Sequence, residues 1–213
     1  MAISDLFRRR EDSDAVAASD RPPTFPFKGL PRLLASLKAR EQPVLLDLGP
    51  VVGQNVTFFG EQLGCKMFVE DLFHDIDRHV RSGTHADLPA HFASRLPQPD
   101  GSVDGILCWD VFDYLEKPAA QTLAGQVARI LRPGGVALAF FSTAPPRPEH
   151  ALYTKRVIVD ETTVEHRDYP AARGKQTPQL NRDIIRMFEP LRVSEQFLLK
   201  MNVCEMLFRK PSP

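Results

Sequence analysis

The middle of the chain alternates short, uninterrupted apolar runs with segments of helical periodicity, and this alternation constrains the fold more than any other feature. The apolar runs are PVLLDLG, CKMFVED, VDGILCWD and VALAFFST, and the segments between them repeat apolar residues at helical spacing. Strands of continuous apolar character are buried on both faces, and the intervening helices supply the crossovers of a parallel sheet. The sequence therefore predicts an α/β fold with a doubly wound, mostly parallel sheet.

Three further regions complete the predicted set of elements. Residues 27–41 carry leucines at helical spacing and predict an amphipathic helix. A weak strand near residues 91–96 brings the predicted sheet to seven strands. Residues 192–211 predict two strands whose short connection forces them to pair antiparallel.

The pattern divides the chain into a segment and a domain. Residues 1–26 mix charges with Ala, Ser and Pro without a sustained period, so we expect a mobile segment there, and 3–11 can serve as a docking peptide for a partner. We expect a single folded domain to span 27–213. Polar alternation within 152–178 predicts a hairpin that forms a lid.

Charge and composition limit the possible partners. The chain has 213 residues, and its 27 basic side chains equal its 27 acidic ones, so no global field favours nucleic acid or an acidic membrane. No apolar run is long enough to span a bilayer, and the N-terminus lacks the apolar core of a secretory signal. We therefore expect a cytoplasmic protein. The three cysteines form no CxxC pair and predict free, buried thiols, and no histidine spacing predicts a metal site.

The turn after the first apolar run has the features of a ligand site. The stretch LLDLGPVVGQN places Asp47, Gly49, Gly53 and Asn55 where an open α/β sheet binds ligands, beyond the carboxyl ends of its strands. Glycine allows a ligand to approach the backbone, and the next helix offers unpaired N–H groups. The dinucleotide fingerprint GxGxxG requires a glycine where Val51 stands, which disfavours NAD or FAD.

Several motifs in order resemble the class I S-adenosylmethionine-dependent methyltransferases. Their first motif, acid-x-Gly-x-Gly-x-Gly, is matched at Asp47, Gly49 and Gly53. The stretch VED places Glu70 and Asp71 at the end of the second strand. The stretches PDGSVDGILCWDVFDYL and ARILRPGGVALAFF are similar to the family's fourth and fifth strands with the turns before them.

The resemblance implies S-adenosylmethionine as cofactor and methyl transfer to an acceptor, which is a small molecule or a protein. It implies that Glu70, the first choice by position, or Asp71 binds the ribose hydroxyls. The chain departs from the family at Val51, which replaces a glycine and adds bulk costing about 1–3 kcal/mol. It departs again at Phe92 and Ala93, which replace an acid that contacts adenine, so backbone groups, Ser94 or apolar stacking would have to recognise adenine.

The end of the fourth strand supplies the candidates for substrate chemistry. Trp109 and Asp110 are expected at the mouth of the pocket as cofactor contacts, and Asp110 and Tyr114 are the catalytic candidates. The favoured structural alternative is that Asp110 or Asp113 caps the following helix while Trp109 packs beside the sheet. Asp47 is equally well explained as a carboxylate that organises its turn by binding backbone N–H groups.

Two functions follow from these observations. The first is methyl transfer from S-adenosylmethionine to an unidentified acceptor. The second is a catalytically inactive, methyltransferase-like scaffold or interaction protein with a degenerate cofactor pocket, which the substitutions at Val51 and Phe92 motivate. The absence of a GxSxG elbow and of a GxxxxGK[ST] loop disfavours hydrolases and phosphoryl transfer.

Overall fold

A computed structural model of the chain describes residues 22–145 and 152–212. Within these ranges, no helix is long and apolar enough to cross a membrane. The strands are β1 (Thr24–Pro26), β2 (Val44–Asp47), β3 (Lys66–Val69), β4 (Val103–Trp109), β5 (Leu131–Ser142), β6 (Leu152–Asp160), β7 (Thr163–Pro170), β8 (Arg192–Leu199) and β9 (Val203–Arg209). The α-helices are α1 (Leu30–Lys38), α2 (Gly53–Val56, continued by a π-helical stretch over Thr57–Gln62), α3 (Leu72–Arg81), α4 (Leu88–Arg95), α5 (Lys117–Ile130) and α6 (Asn181–Met187).

The main sheet has the predicted α/β architecture. Its strand order is β3-β2-β4-β5-β9-β8. Strands β3, β2, β4 and β5 run parallel, and β9 and β8 are antiparallel to their neighbours. The doubly wound parallel sheet and the antiparallel C-terminal pair are therefore confirmed.

The predicted seventh strand is wrong, because residues 91–96 belong mostly to helix α4 and the sheet has six strands. A proline lies in the first turn of α4, where its missing N–H costs nothing. Leu88, Phe92 and Leu96 recur every fourth residue and are buried. That spacing places them on one helical face, so burial is achieved by a helix instead of a strand.

Helices cover both faces of the main sheet. Helix α1 and the π-helical stretch pack on one face with Leu45, Leu107 and Trp109. Helices α3, α4 and α5 pack on the other face with Leu46 and Ile106. The carboxyl ends of β2 and β4 meet at the same edge of these two layers.

A second, three-stranded sheet has the order β1-β7-β6. Strands β6 and β7 form an antiparallel hairpin within the segment 152–178 that the sequence assigned to a lid. Strand β1 joins β7, and the Phe27 N–H donates to the Thr162 carbonyl at 2.7 Å. The expected N-terminal segment 1–26 thus ends in a strand, while its residues 1–21, including the docking segment 3–11, lie outside the described residues.

Candidate functional site

Asp47 organises the turn at the carboxyl end of β2. The Gly49 N–H donates to Asp47 Oδ1 at 2.8 Å, and Trp109 Nε1 donates to the same oxygen at 2.5 Å. Burial raises the pKa of Asp47 to about 7, although both hydrogen bonds act in the opposite direction. The structure therefore uses this carboxylate as an acceptor for its own turn.

Trp109 covers Gly49. A Cβ atom built on Gly49 would lie 2.6 Å from Trp109 Cδ1, so only glycine fits beneath the indole. Trp109 has a positive φ of 51°, and its ring packs against both Phe27 and Phe140 at centroid distances of 5.8 Å each. A ligand that reached the Gly49 backbone from this side would have to displace the indole.

Asn55 holds the hairpin in place. Its Nδ2 donates to the Arg156 carbonyl at 2.9 Å, and its Oδ1 accepts from the Ile158 N–H at 2.8 Å. The preceding Gln54 donates from Nε2 to the Ile158 carbonyl at 2.8 Å. The side chains at the start of α2 therefore bind strand β6, and Asn55, which was predicted to contact a cofactor, has both of its polar atoms hydrogen-bonded to that strand.

Asp110 lies in a buried ion cluster that we call the latch cluster, formed by Asp110, Arg156 and Lys175. Asp110 is paired with the Arg156 guanidinium and lies 2.8 Å from Lys175 Nζ. Burial alone would raise the pKa of Asp110, but the charges of Arg156 and Lys175 outweigh burial and lower it. The latch cluster joins the end of β4 to β6 and to the segment before α6.

The predicted helix-capping role of Asp110 and Asp113 is wrong. Asp110 precedes the short helix Val111–Tyr114 without a side-chain hydrogen bond to it. The carboxylate of Asp113 instead accepts from the Ser142 N–H at 3.0 Å and from Lys175 Nζ at 3.2 Å. The end of β4 is buried, so both acids need hydrogen-bond donors or cations from within the protein. The residues that supply them lie far along the chain.

Tyr114 is also enclosed. Its hydroxyl donates to the Leu152 carbonyl at 3.1 Å, and its ring packs against Phe73 and Tyr153. Burial raises the pKa of Tyr114, so the phenol stays protonated at neutral pH. In this arrangement the hydroxyl is a structural donor to the hairpin.

The acids at the end of β3 serve different roles. Glu70 pairs with Arg95 and accepts from Gln98 Nε2 at 3.1 Å. Asp71 caps helix α3 by accepting from the His74 N–H at 3.0 Å. Glu70 is the better placed of the two predicted ribose ligands, because Asp71 is used at a helix terminus and Glu70 is held by side chains alone.

The adenine region differs from the prediction. Phe92 is fully buried in the core, and Ser94 is exposed on helix α4. No hydrogen bond from the Ser94 side chain is present among the described residues. Both residues lie on the helix that replaces the expected strand, so the sequence assigned them to the wrong kind of element.

Val51 does not obstruct the turn. Its side chain is 66% exposed, and it is not among the residues with positive φ, so the position does not need glycine. A Cβ atom on the nearby Gly53 would meet nothing within 4 Å. The start of α2 is therefore open on the Gly53 side, and the turn itself accommodates Val51.

Sequence reasoning missed the partners that close the site. Arg156 and Lys175 provide the cations, and the backbone of Ile158 forms hydrogen bonds with the side-chain amides of α2. A strand-end acid in an apolar run signals that a buried cation is needed. Nothing local identifies which one, because Arg156 stands in a run that reads as an ordinary strand.

The raised pKa of Asp47 predicts a pH-dependent stability. Between the ordinary aspartate pKa of 3.8 and a pKa of about 7, the folded state holds a proton that the unfolded state releases, so stability falls as pH rises through this window. An Asp47→Asn variant lacks this titration. The difference in unfolding free energy, variant minus wild type, should therefore grow with pH at up to about 1.4 kcal/mol per unit and level off above pH 7. Urea unfolding at several pH values measures it, and parallel curves would contradict it.

Comparisons with known proteins were made for sequence and for structure. A family model described as a methyltransferase domain matches residues 18–174. The PH0226 protein from Pyrococcus horikoshii OT3 aligns with a TM-score of 0.53 at 15% identity, covering 85% of this chain and 87% of that chain. The 1,6-didemethyltoxoflavin-N1-methyltransferase of Burkholderia thailandensis, crystallised with 1,6-didemethyltoxoflavin and S-adenosylhomocysteine, gives 0.49 at 16% identity, covering 98% and 87%. No curated protein matches the sequence.

Proposed function

Because the chain belongs to the class I S-adenosylmethionine-dependent methyltransferase family, we propose that it transfers a methyl group from S-adenosylmethionine to an acceptor when its β6–β7 hairpin is open. The observation that carries the proposal is the turn after β2, where Asp47 fixes the Gly49 N–H and Gly53 leaves the start of α2 accessible. The acceptor is a small molecule or a protein.

The surroundings of the turn fit the cofactor only after a rearrangement. Trp109 covers Gly49, Arg95 pairs with Glu70, and the backbone of β6 takes both polar atoms of Asn55. Of these contacts, that of Asn55 ends at the hairpin, whereas Arg95 and Trp109 are side chains that the cofactor would have to displace. Movement of the hairpin separates Asn55 from the backbone of β6 and Asp110 from Arg156, since both partners belong to β6, and it leaves Asp110 paired with Lys175. We infer that the hairpin is a lid.

The residues of the open site have distinct roles in this proposal. Asp47 keeps the turn in shape, and Glu70 accepts hydrogen bonds from the ribose hydroxyls once Arg95 rotates away. Bound S-adenosylmethionine supplies a methyl group on a cationic sulfur, and alignment is the main task left to the protein. Asp110, freed from Arg156, is an anion beside the turn that can hold a cationic group or accept a proton from the acceptor.

Binding of S-adenosylhomocysteine to the purified chain tests the proposal. Isothermal calorimetry and a thermal shift should both register the ligand, with a rise in the melting temperature that increases with ligand concentration. S-adenosylmethionine should behave alike, and adenosine should bind more weakly. Absence of heat and of any shift at millimolar ligand would sink the proposal.

A Val51→Gly variant tests whether Val51 or the hairpin obstructs cofactor binding. Because Val51 is exposed and has an ordinary backbone conformation, we expect the variant to keep its S-adenosylhomocysteine affinity within about threefold of wild type. Calorimetry of the two proteins side by side gives the comparison. A gain of tenfold or more would place the obstruction at Val51 instead of the hairpin.

The latch cluster also favours a second candidate function, a non-catalytic scaffold that retains the sheet as an interaction platform. Four of the residues predicted to line the cofactor pocket, Asn55, Glu70, Trp109 and Asp110, have partners within the chain. A scaffold needs no lid movement, so amide exchange of Ile158 would be slow and unaffected by ligand. The methyltransferase proposal instead requires S-adenosylhomocysteine to change that exchange.

The cysteines support a cytosolic setting for either function. Cys65, Cys108 and Cys204 are free and buried. Burial raises the pKa of the Cys65 thiol to about 11, which keeps it protonated and unreactive. Free thiols of this kind suit a reducing compartment.

A further inference from the structure

The outer edge of strand β3 is open. Strand β3 is the last strand of the main sheet on its side, with β2 as its neighbour. Within residues 22–145 and 152–212, no strand pairs with the other edge of β3. An unpaired strand edge is a template for another strand unless the protein blocks it.

The backbone groups of β3 divide between the two edges. The Lys66 N–H donates to the Pro43 carbonyl and the Glu70 N–H to the Asp47 carbonyl, each at 2.8 Å. Alternate residues of a strand direct their N–H and C=O groups to opposite sides. The N–H and C=O groups of Met67 and Val69 therefore point outward, and two residues offer four hydrogen-bonding groups.

The side chains along this edge are self-complementary. Phe68 is 36% exposed although it stands in the middle of the strand, and Met67 and Val69 are half-buried. Lys66, Phe68 and Glu70 share one face, so opposite charges lie on either side of an aromatic ring. A groove of about 320 Å³ runs beside them, bounded by Val44, Val103 and the segment 97–99.

We propose that two copies of the chain pair through this edge as an antiparallel, two-fold symmetric dimer with the axis at Phe68. In this register Met67 of each copy forms a hydrogen-bonded pair with Val69 of the other, which satisfies all four outward groups. Phe68 lies opposite Phe68 of the partner subunit, in the closer, non-hydrogen-bonded position. Lys66 meets Glu70 of the partner subunit, whose carboxylate has free acceptor positions beside Arg95 and Gln98.

The opposite edge of the sheet lacks these features. Strand β8 has a register irregularity between Val193 and Glu195, and such bulges are a common protection of strand edges. Its exposed positions are mostly polar, with Leu198 at 70% exposure as an isolated apolar side chain. These differences favour the edge of β3 over that of β8 as the dimer interface. The proposed dimer goes beyond the proposed methyl transfer and does not depend on it.

Sedimentation velocity of the full chain at micromolar concentrations tests the proposal, and it should show twice the 23.9 kDa mass. Phe68→Lys places two like charges on the axis and should weaken the dimer roughly tenfold or more. Met67→Pro removes an outward donor without touching the bonds to β2, and it should do the same. Leu198→Lys is the matched control and should leave the mass unchanged. A monomeric wild type overturns the proposal, as does a dimer that both β3 variants leave intact.

A cysteine at the axis tests the register separately. Non-hydrogen-bonded antiparallel partners have Cα atoms about 4.5 Å apart, within the range that a disulfide spans. Mild oxidation of Phe68→Cys should therefore give a covalent dimer, while Leu198→Cys should not, and the native cysteines are buried. Failure of Phe68→Cys to cross-link faster than Leu198→Cys would overturn this register.

Discussion

Arg156→Met is expected to lower the free energy of unfolding by about 3–5 kcal/mol, because it leaves the buried Asp110 without its strongest partner. Asp110 is fully buried and Arg156 nearly so, so water cannot replace the lost guanidinium. Methionine keeps the length and the apolar contacts of the side chain. Urea unfolding, monitored by the fluorescence of Trp109, measures the loss.

Two further variants make this result specific to the latch cluster. Lys155→Met changes the neighbouring residue, which contacts Tyr169 across the hairpin, and should cost less than about 1 kcal/mol. The double variant Arg156→Met with Asp110→Asn removes both charges and should recover much of the stability lost by Arg156→Met. If the double variant is as unstable as the sum of the two single variants, the pair is not the latch.

The same variant also bears on the lid. If the closed hairpin excludes the cofactor, only the open molecules bind it, and the apparent affinity falls as the open fraction becomes smaller. Arg156→Met should then bind S-adenosylhomocysteine roughly tenfold more tightly than wild type. Equal affinity in both proteins would separate the latch cluster from the cofactor site, and binding by neither would favour the scaffold.

Asn55→Ala has the second-largest expected effect. It leaves the Ile158 N–H and the Arg156 carbonyl without partners in a buried position, at a cost of about 1–3 kcal/mol for each group. Hydrogen exchange of the Ile158 amide should accelerate, because the hairpin loses its bond to α2. Denaturation and amide exchange measured on one sample give both quantities.

Gln54→Ala is the matched control for this variant. Gln54 is exposed and makes one bond to the same strand, so its loss should cost about 0.5–1.5 kcal/mol. Asn55→Asp distinguishes the two bonds of Asn55. It keeps an acceptor for the Ile158 N–H but replaces the donor to the Arg156 carbonyl by an oxygen. Unchanged protection of Ile158 in Asn55→Ala would show that the amide does not hold the hairpin.

Local patterns predicted most of the fold. The runs that became β2, β4 and β5 are mostly apolar, and α5 has clear helical spacing, so the local sequence is enough to predict these elements. Residues 91–96 were assigned to the wrong element because a short segment with few apolar residues fits both periods. Pro89 and the spacing of Leu88, Phe92 and Leu96 were the signals for a helix.

The sequence predicted where the turn after β2 lies, but it did not predict the contacts that cover this turn. Asp47 and its turn follow from local sequence, and the structure places them at the end of β2. The contacts that close the site join residues far apart, such as Asn55 and Arg156, which are 101 positions apart. No periodicity reports such pairs, because each member looks locally like an ordinary strand or helix residue.

The bonds from α2 to the hairpin have a consequence for solubility. Strand β6 pairs with β7 on one side, and on its other side the amides of Gln54 and Asn55 stand where another strand would be. An open hairpin would expose this edge along the apolar run Val157, Ile158 and Val159, a sequence with high β-propensity. Two side-chain amides therefore protect the chain from intermolecular aggregation, and any state that frees them has to be short-lived or occupied by a ligand.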